Sequence, residues 1–222
     1  MCPDWTAIDT VLLDMDGTLL DLHFDNHFWQ EHLPMRYAAH HGRDVALVRE
    51  ELRARFKAHE GTLPWYSVDF WSDALALDLM PLKEEVAHLI AIHPGVLEFL
   101  AAAREADKRV LLVTNAHRKS LELKMLRTGL AGHFDAMITS HELGLPKEDV
   151  RFWDALRAVQ SFEPARTLLV DDTLSVLDSA SVYGIAELRA IRRPDTKQPQ
   201  REITRYAALD SFVDLLPVLR PV

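Results

Sequence analysis

The stretch Thr10-Val11-Leu12-Leu13-Asp14-Met15-Asp16-Gly17-Thr18-Leu19-Leu20-Asp21 limits the fold more than any other part of the chain. An apolar run leads straight into two carboxylates separated by one residue, and a Gly and a Thr follow at once. Continuous apolar runs bounded by turn residues suit strands of a parallel sheet covered on both faces. Val11 to Leu13 is therefore expected as a short buried strand, with Asp14 at its carboxyl end. In an open α/β sheet that end is where ligands bind. Gly17 permits a sharp turn and close approach to a ligand, and Thr18 adds a hydroxyl and a backbone N–H.

A carboxylate in this position can act as a nucleophile and form an acyl phosphate. A second carboxylate, carried round by the turn, can protonate a leaving group and later activate water. Backbone N–H groups of the turn can cradle phosphate oxygens. Asp14-Met15-Asp16-Gly17-Thr18-Leu19 resembles the first signature of the haloacid dehalogenase-like (HAD) superfamily of phosphohydrolases. The resemblance implies a doubly wound parallel α/β sheet, with Asp14 as nucleophile and Asp16 as general acid and base. Asp16 argues against the dehalogenase branch, whose motif lacks that second acid.

Residues 21–93 change character, being rich in His, Arg, Glu and aromatics. Helices are expected over 26–41, closed by Gly42, and over 44–59, with Asp44 as N-cap. Leu63-Pro64-Trp65 reads as a break, followed by helices over 67–79 and 82–92. The expected division is a catalytic core of residues 1–20 and 94–222 with a helical cap over 21–93. HAD enzymes with a helical cap place it at this point in the chain, where it excludes water and selects substrate. Trp65, Tyr66, Phe70, Trp71, Phe28 and Trp29 supply either the packing of that cap or rings on which a base stacks. Trp65 and Tyr66, beside the break, are the pair expected to face a pocket.

After the cap an α/β rhythm returns. An amphipathic helix over 96–106, with Leu97, Leu100 and Ala103 on one side, precedes a strand over 109–113 that ends in Thr114-Asn115-Ala116. A hydroxyl and an amide there would hold a transferring phosphoryl group, and Thr114 matches the second HAD signature. A helix over 117–128 ends at Gly129, and a third strand spans 134–139. Lys147, before a helix over 150–160, stands where the third signature has its Lys, which would neutralise nucleophile and phosphoryl charge. Glu148 and Asp149 depart from the Pro that many relatives carry nearby. A strand over 166–170 ends in Asp171-Asp172-Thr173, opening a helix over 174–183 and matching the fourth signature. Asp-Asp is also a plain helix N-cap. Residues 187–191 are expected as a fifth, outer strand, 192–201 as a loop and 210–216 as a short helix.

In strand order 3-2-1-4-5, strands one and four are neighbours. That order sets Asp14 and Asp16 beside Asp171 and Asp172, and carboxylates so close repel unless a counterion intervenes. Oxygen-only ligands and a phosphate partner select Mg²⁺. The expected ligands are Asp14, the Asp16 carbonyl and one or both of Asp171 and Asp172. Gly17, Thr18, Thr114, Asn115 and Lys147 are expected to bind phosphate. Eleven His residues form no zinc motif; His117 and His141 follow strand ends and could touch substrate.

The formal charge of −9 argues against nucleic acid as a partner. One cysteine, Cys2, and the absence of a leader or an apolar membrane span point to the cytoplasm. No feature demands more than a monomer or weak dimer. Residues 25–30, 65–72 and 114–117 resemble the bacterial GMP/IMP nucleotidase branch of the superfamily, which implies purine nucleoside monophosphates as substrates. The alternatives are a phosphatase for sugar phosphates or phosphoglycolate, a phosphoryl-transferring mutase, or a binding module without turnover.

Overall fold

The structure is a computed structural model that describes residues 3–219; Cys2 lies outside the described residues. Six parallel strands form one sheet in the order β3-β2-β1-β4-β5-β6. They are β1 (Thr10–Leu13), β2 (Arg109–Thr114), β3 (Ala136–Thr139), β4 (Thr167–Asp171), β5 (Glu187–Ile191) and β6 (Ala207–Leu209). All of β1 and β4 is buried, because helices cover both faces of the sheet. Val11 and Leu13 point into one core with Trp5, Phe99 and Leu100. Leu12 points into the other with Val113, Trp153 and Leu177. Leu13 pairs with Leu112 on one side and Val170 on the other, so the ends of β1, β2 and β4 open onto one crevice.

A helical layer follows β1. It comprises α1 (His23–His27), α2 (Leu33–His41), α3 (Val45–Lys57), α4 (Leu63–Tyr66), α5 (Val68–Leu75) and α6 (Leu79–Glu85). A wide turn over Phe28–His32 joins α1 to α2. It places the Leu33 N–H on the Phe28 carbonyl and delivers Pro34 into the first turn of α2, where no N–H is needed. This layer has its own core, built on Phe24, Phe28, Leu52, Val68, Trp71 and Leu79.

Several elements differ from expectation. Residues 63–66 form a helical turn rather than a break. The helix expected over 67–79 stops at Leu75, where Ala76 takes the left-handed conformation and Asp78 caps a new helix. That helix tolerates Pro81 in its first turn and ends at Glu85, with only one 3₁₀ turn, Ala87–Leu89, beyond it.

In the core, α7 (Val96–Glu105) buries Val96, Phe99, Leu100 and Ala103, whereas Leu97 is 46 % exposed, one residue off the stripe. Four further helices complete the fold: α8 (Arg118–Thr128), α9 (Ser140–Leu143), α10 (Arg151–Val159) and α11 (Leu174–Tyr183). β5 is not the outer strand, since β6 adds beyond it. The helix expected over 210–216 is a single 3₁₀ turn, Phe212–Leu215. Among the described residues no helix is long and apolar enough to cross a membrane.

Candidate active site

Asp14 is the first residue after β1, and its N–H still donates to the Val170 carbonyl at 3.0 Å. The chain then turns tightly: Leu19 and Leu20 both donate to the Met15 carbonyl, and the Gly17 N–H donates to Leu20 at 2.7 Å. Gly17 has φ +79°, and a Cβ there would lie 2.8 Å from Asp172 Cγ and 2.9 Å from Pro194 Cβ. Only glycine fits. Its N–H is used inside the turn, on the Leu20 carbonyl. The Thr18 side chain is fully buried, its hydroxyl has no hydrogen-bond partner among the described residues, and neither residue lines the main cavity.

Asp14, Asp171 and Asp172 are all buried, and each offers a carboxylate oxygen within 4.8 Å of the others. Lys147 crosses from the loop after α9. Its Nζ donates to Asp14 Oδ1 at 2.5 Å, Asp171 Oδ2 at 2.7 Å and the Val113 carbonyl at 3.1 Å. Burial pushes Asp14 up to about 6 with help from the Asp171 charge, against the pull of Lys147. Asp171 is likewise pushed up to about 6 by burial and Asp172. Asp172 rises to about 7 through burial and Asp14. Burial works against the Lys147 ammonium, yet its two carboxylate neighbours outweigh it and raise it above its ordinary value. Lys147 pairs with Asp14 and Asp171, and the Arg201 guanidinium lies 4.0 Å from Asp172 Oδ2, so the three buried carboxylates still carry negative charge in excess, a donor set that fits a hard divalent cation.

Asp16 is directed elsewhere. Its Oδ1 accepts from Lys124 Nζ at 2.6 Å, and its carboxylate does not join the acidic triad. Asn115 serves the scaffold of Lys147: its Oδ1 accepts from the Lys147 N–H at 3.0 Å and its Nδ2 donates to Glu148 at 3.0 Å. The Tyr66 hydroxyl donates to the other Glu148 oxygen at 2.5 Å, which links the helical layer to the core. Burial and the Glu148 charge together push the Tyr66 phenol up.

Asp14, Asp16, Asn115, Lys147 and Asp172 form the floor of a cavity of about 560 Å³, which Thr114 also lines; Asp171 is outside the lining. Trp29, Phe56, Trp65, Tyr66 and Trp71 form its walls, with Arg49, Arg53 and Lys57 towards the outer side of α3. Phe56 is the hub, edge-on to Trp29, Trp65 and Trp71 at 5.3, 6.5 and 4.8 Å between centroids. Trp65 and Tyr66 face the cavity as expected, whereas Phe28 and Phe70 do not line it. His117 and His141 lie outside the lining and pack edge-on against each other.

Sequence reasoning missed Lys124, Asp25 and Lys83. A signal was present: Lys124 follows Leu121 by three residues and Lys83 follows Leu79 by four. Each Lys thus falls on the apolar stripe of its helix, where a charge needs a partner.

The arrangement is that of an α/β enzyme with a site for a cation and an anionic group at the carboxyl ends of its strands. A family model of haloacid dehalogenase-like hydrolases matches residues 8–182; the chain belongs to this family. It is 37 % identical over 215 residues to the GMP/IMP nucleotidase YrfG of Escherichia coli strain K12, covering 97 % of each chain. The pyrimidine 5′-nucleotidase YjjG of the same organism is 28 % identical over 108 residues, which is 46 % of this chain and 48 % of that one. The crystal structure of a HAD phosphatase from Thermococcus onnurineus has a TM-score of 0.78 at 22 % identity, covering 94 % of this chain and 96 % of that one. At that identity the likeness is one of fold.

Proposed function

We propose that the protein is a Mg²⁺-dependent phosphomonoesterase of the cytoplasm that hydrolyses purine 5′-monophosphates, GMP and IMP foremost, to nucleoside and phosphate. The carrying observation is the Asp14–Lys147–Asp171–Asp172 cluster, of which Asp14, Lys147 and Asp172 line an aromatic-walled cavity. The near full-length likeness to a nucleotidase supports the choice of substrate. Residues 21–93 act as the cap over a core of 1–20 and 94–222.

Asp14 attacks phosphorus and forms an aspartyl phosphate. Asp16 protonates the departing ribose 5′-oxygen and then takes a proton from the water that releases phosphate. Lys147 neutralises Asp14 and the phosphoryl oxygens, and Thr114 binds one of those oxygens. Asn115 acts by fixing the Lys147 backbone. Asp14, Asp171 and Asp172, with the Asp16 carbonyl, would hold Mg²⁺, which supplies positive charge to the phosphoryl group. Trp29, Trp65 and Trp71 offer ring surface to the base.

The test is phosphate release from a panel of nucleotides and sugar phosphates, with Mg²⁺ or EDTA. Preferential turnover of GMP and IMP that EDTA abolishes is the expected result. Turnover confined to sugar phosphates or phosphoglycolate would overturn the substrate assignment and keep the reaction class.

A further inference from the structure

Beneath the cavity lies a second buried charged group, separate from the acidic triad. Lys124, on α8, is 1 % exposed, and its Nζ donates to Asp16 Oδ1 and to Asp25 Oδ2, both at 2.6 Å. Asp25, on α1, uses its other oxygen to accept from Lys83 Nζ at 3.2 Å. Lys83, on α6, is 2 % exposed and lies over the rings of Phe28 and Trp29 at 4.4 and 5.2 Å. The order Asp16–Lys124–Asp25–Lys83 therefore runs from the turn after β1, through a core helix, into two helices of the helical layer. All four residues line the cavity.

Stability alone is a weak reason for such a chain. Apolar side chains of similar volume often pack at least as well as buried ion pairs. Its position is more informative. One end is Asp16, and Lys124 holds Oδ1, which leaves Oδ2 for proton transfer. A general acid works only when its proton is held within hydrogen-bond reach of the leaving atom. The other end lies in the layer that covers the site.

We propose that Lys124 is a positioning residue for Asp16, and that Asp25, braced by Lys83, makes this positioning depend on docking of the helical layer over the sheet. The proposal rests on the phosphomonoesterase reading above. As the P–O5′ bond breaks, its electron pair stays on the ribose oxygen, which takes the proton from Asp16. The carboxylate left behind faces the Lys124 ammonium. The device serves substrates whose leaving group is a basic alkoxide, as in a nucleoside 5′-phosphate. An aryl phosphate with an acidic phenol leaves without that proton.

This difference supplies the test. kcat/KM reports steps up to loss of the leaving group, so the later role of Asp16 towards water does not enter. Lys124→Met is expected to lower kcat/KM for GMP by about 10²-fold, at the lower end of what general acid catalysis contributes. For p-nitrophenyl phosphate the expected fall is several-fold at most. Asp16→Asn sets the pattern for direct loss of the acid. Asp25→Asn, which leaves Lys124 on Asp16, should fall between wild type and Lys124→Met on GMP.

Equal losses on the two substrates, or none on either, would overturn the positioning role. A wild-type profile for Asp25→Asn would overturn the tie to the helical layer. Should Lys124→Met fail to fold by circular dichroism, Lys124→Met/Asp25→Asn removes one charge of each sign and carries the same comparison. Wild-type protein that cleaves neither substrate would remove the phosphomonoesterase reading and this proposal with it. Wild-type turnover with unselective loss would remove the proposal alone.

Discussion

Two buried charged groups share one cavity and are built on opposite plans. At the ends of the strands, three carboxylates meet the Lys147 ammonium and, 4.0 Å from Asp172, the Arg201 guanidinium. Beneath the helical layer, two carboxylates alternate with two ammonium groups. The first group is left with uncompensated negative charge, and burial with mutual repulsion holds Asp14 and Asp171 at about 6 and Asp172 at about 7. In the second, burial works against the Asp25 carboxylate, but Lys124 and Lys83 outweigh it and hold it below its ordinary value. Charge left unbalanced in a buried site is suited to recruiting a cation and a phosphoryl group. Charge balanced within the protein is suited to holding side chains in place.

Neutralising the unbalanced group should separate activity from stability. Asp14→Asn is expected to lower kcat for phosphate release by about 10³-fold or more, as loss of a nucleophile does. Asp172→Asn removes like-charge repulsion, so in EDTA its Tm should equal or exceed that of the wild type while Mg²⁺-dependent turnover is lost. A clear drop in Tm for Asp172→Asn in EDTA would mean that the triad is a structural feature and would erase the contrast.

The balanced group should respond the other way. Lys83→Met leaves Asp25 to share Lys124 with Asp16, and removal of one partner from a buried pair is strongly destabilising. Because Lys124 remains, the expected loss is about 2–3 kcal/mol in urea unfolding, below the full cost of an unpaired buried charge. Lys83→Met/Asp25→Asn restores one-to-one pairing of Asp16 with Lys124 and should recover more than half of that loss. A double variant no more stable than the single one would show that the pairing is not what Lys83 contributes.

The two groups also differ in how far the sequence disclosed them. Asp14, Lys147, Asp171 and Asp172 were legible because apolar runs such as Val11–Leu13 and Leu168–Val170 locate strand ends, and parallel order makes those ends neighbours. The family resemblance then gave each position an expected role. Lys124 and Lys83 do not stand out in the sequence because a Lys in a helix is ordinarily solvated, and only packing of α6 against α8 shows that both are buried. Asp25 was seen only as part of a resembling stretch, for its two partners are distant in sequence. The helical layer was read less well than the sheet for a related reason. Left-handed Ala76 and the early start of α6 at Leu79 follow from tertiary packing and from capping by Asp78, which local periodicity does not encode.

Titration separates Asp25 from the triad. For Asp14, Asp171 and Asp172 the folded values lie above the unfolded value of about 4. Between pH about 4 and about 7 these three carboxylates therefore bind more protons in the folded chain than in the unfolded one, and their contribution to stability falls as pH rises, whereas His27, His93, His117 and His141, each lowered by burial, contribute in the opposite sense. Asp16, pushed up to about 6 by burial and the Asp25 charge, adds to the slope of the triad. Asp25 has the opposite sign: its contribution is present above the unfolded value and is lost as pH falls through its lowered one. The Tm of the wild type in EDTA, taken relative to that of Asp172→Asn, should decline from pH 5 to 7.5, and Mg²⁺ should shrink that decline by favouring the ionised carboxylates. Introducing Asp25→Asn into both proteins should leave the sign of that difference unchanged. A wild-type Tm that gains on that of Asp172→Asn over this range in EDTA would contradict the excess-charge reading of the triad.

The smallest expected effect belongs to a residue that serves neither group. Trp65 lines the cavity wall, edge-on to Phe56, with no ion pair to the floor. If a purine base rests against this wall, Trp65→Ala removes ring contact and leaves the reacting atoms and both charged groups in place. Loss of one base–aromatic contact is worth about 1–3 kcal/mol; since Trp29 and Trp71 remain on the same wall, the lower end applies. KM for GMP should rise about 5-fold with kcat within about 2-fold, the signature of binding lost equally from ground and transition states. Activity on p-nitrophenyl phosphate, which lacks a purine, should barely change. A fall in kcat on both substrates with KM unchanged would instead tie Trp65 to the seating of the helical layer. Its effect would then join that of Asp25 and Lys83, and the wall would belong to the positioning group rather than to substrate choice.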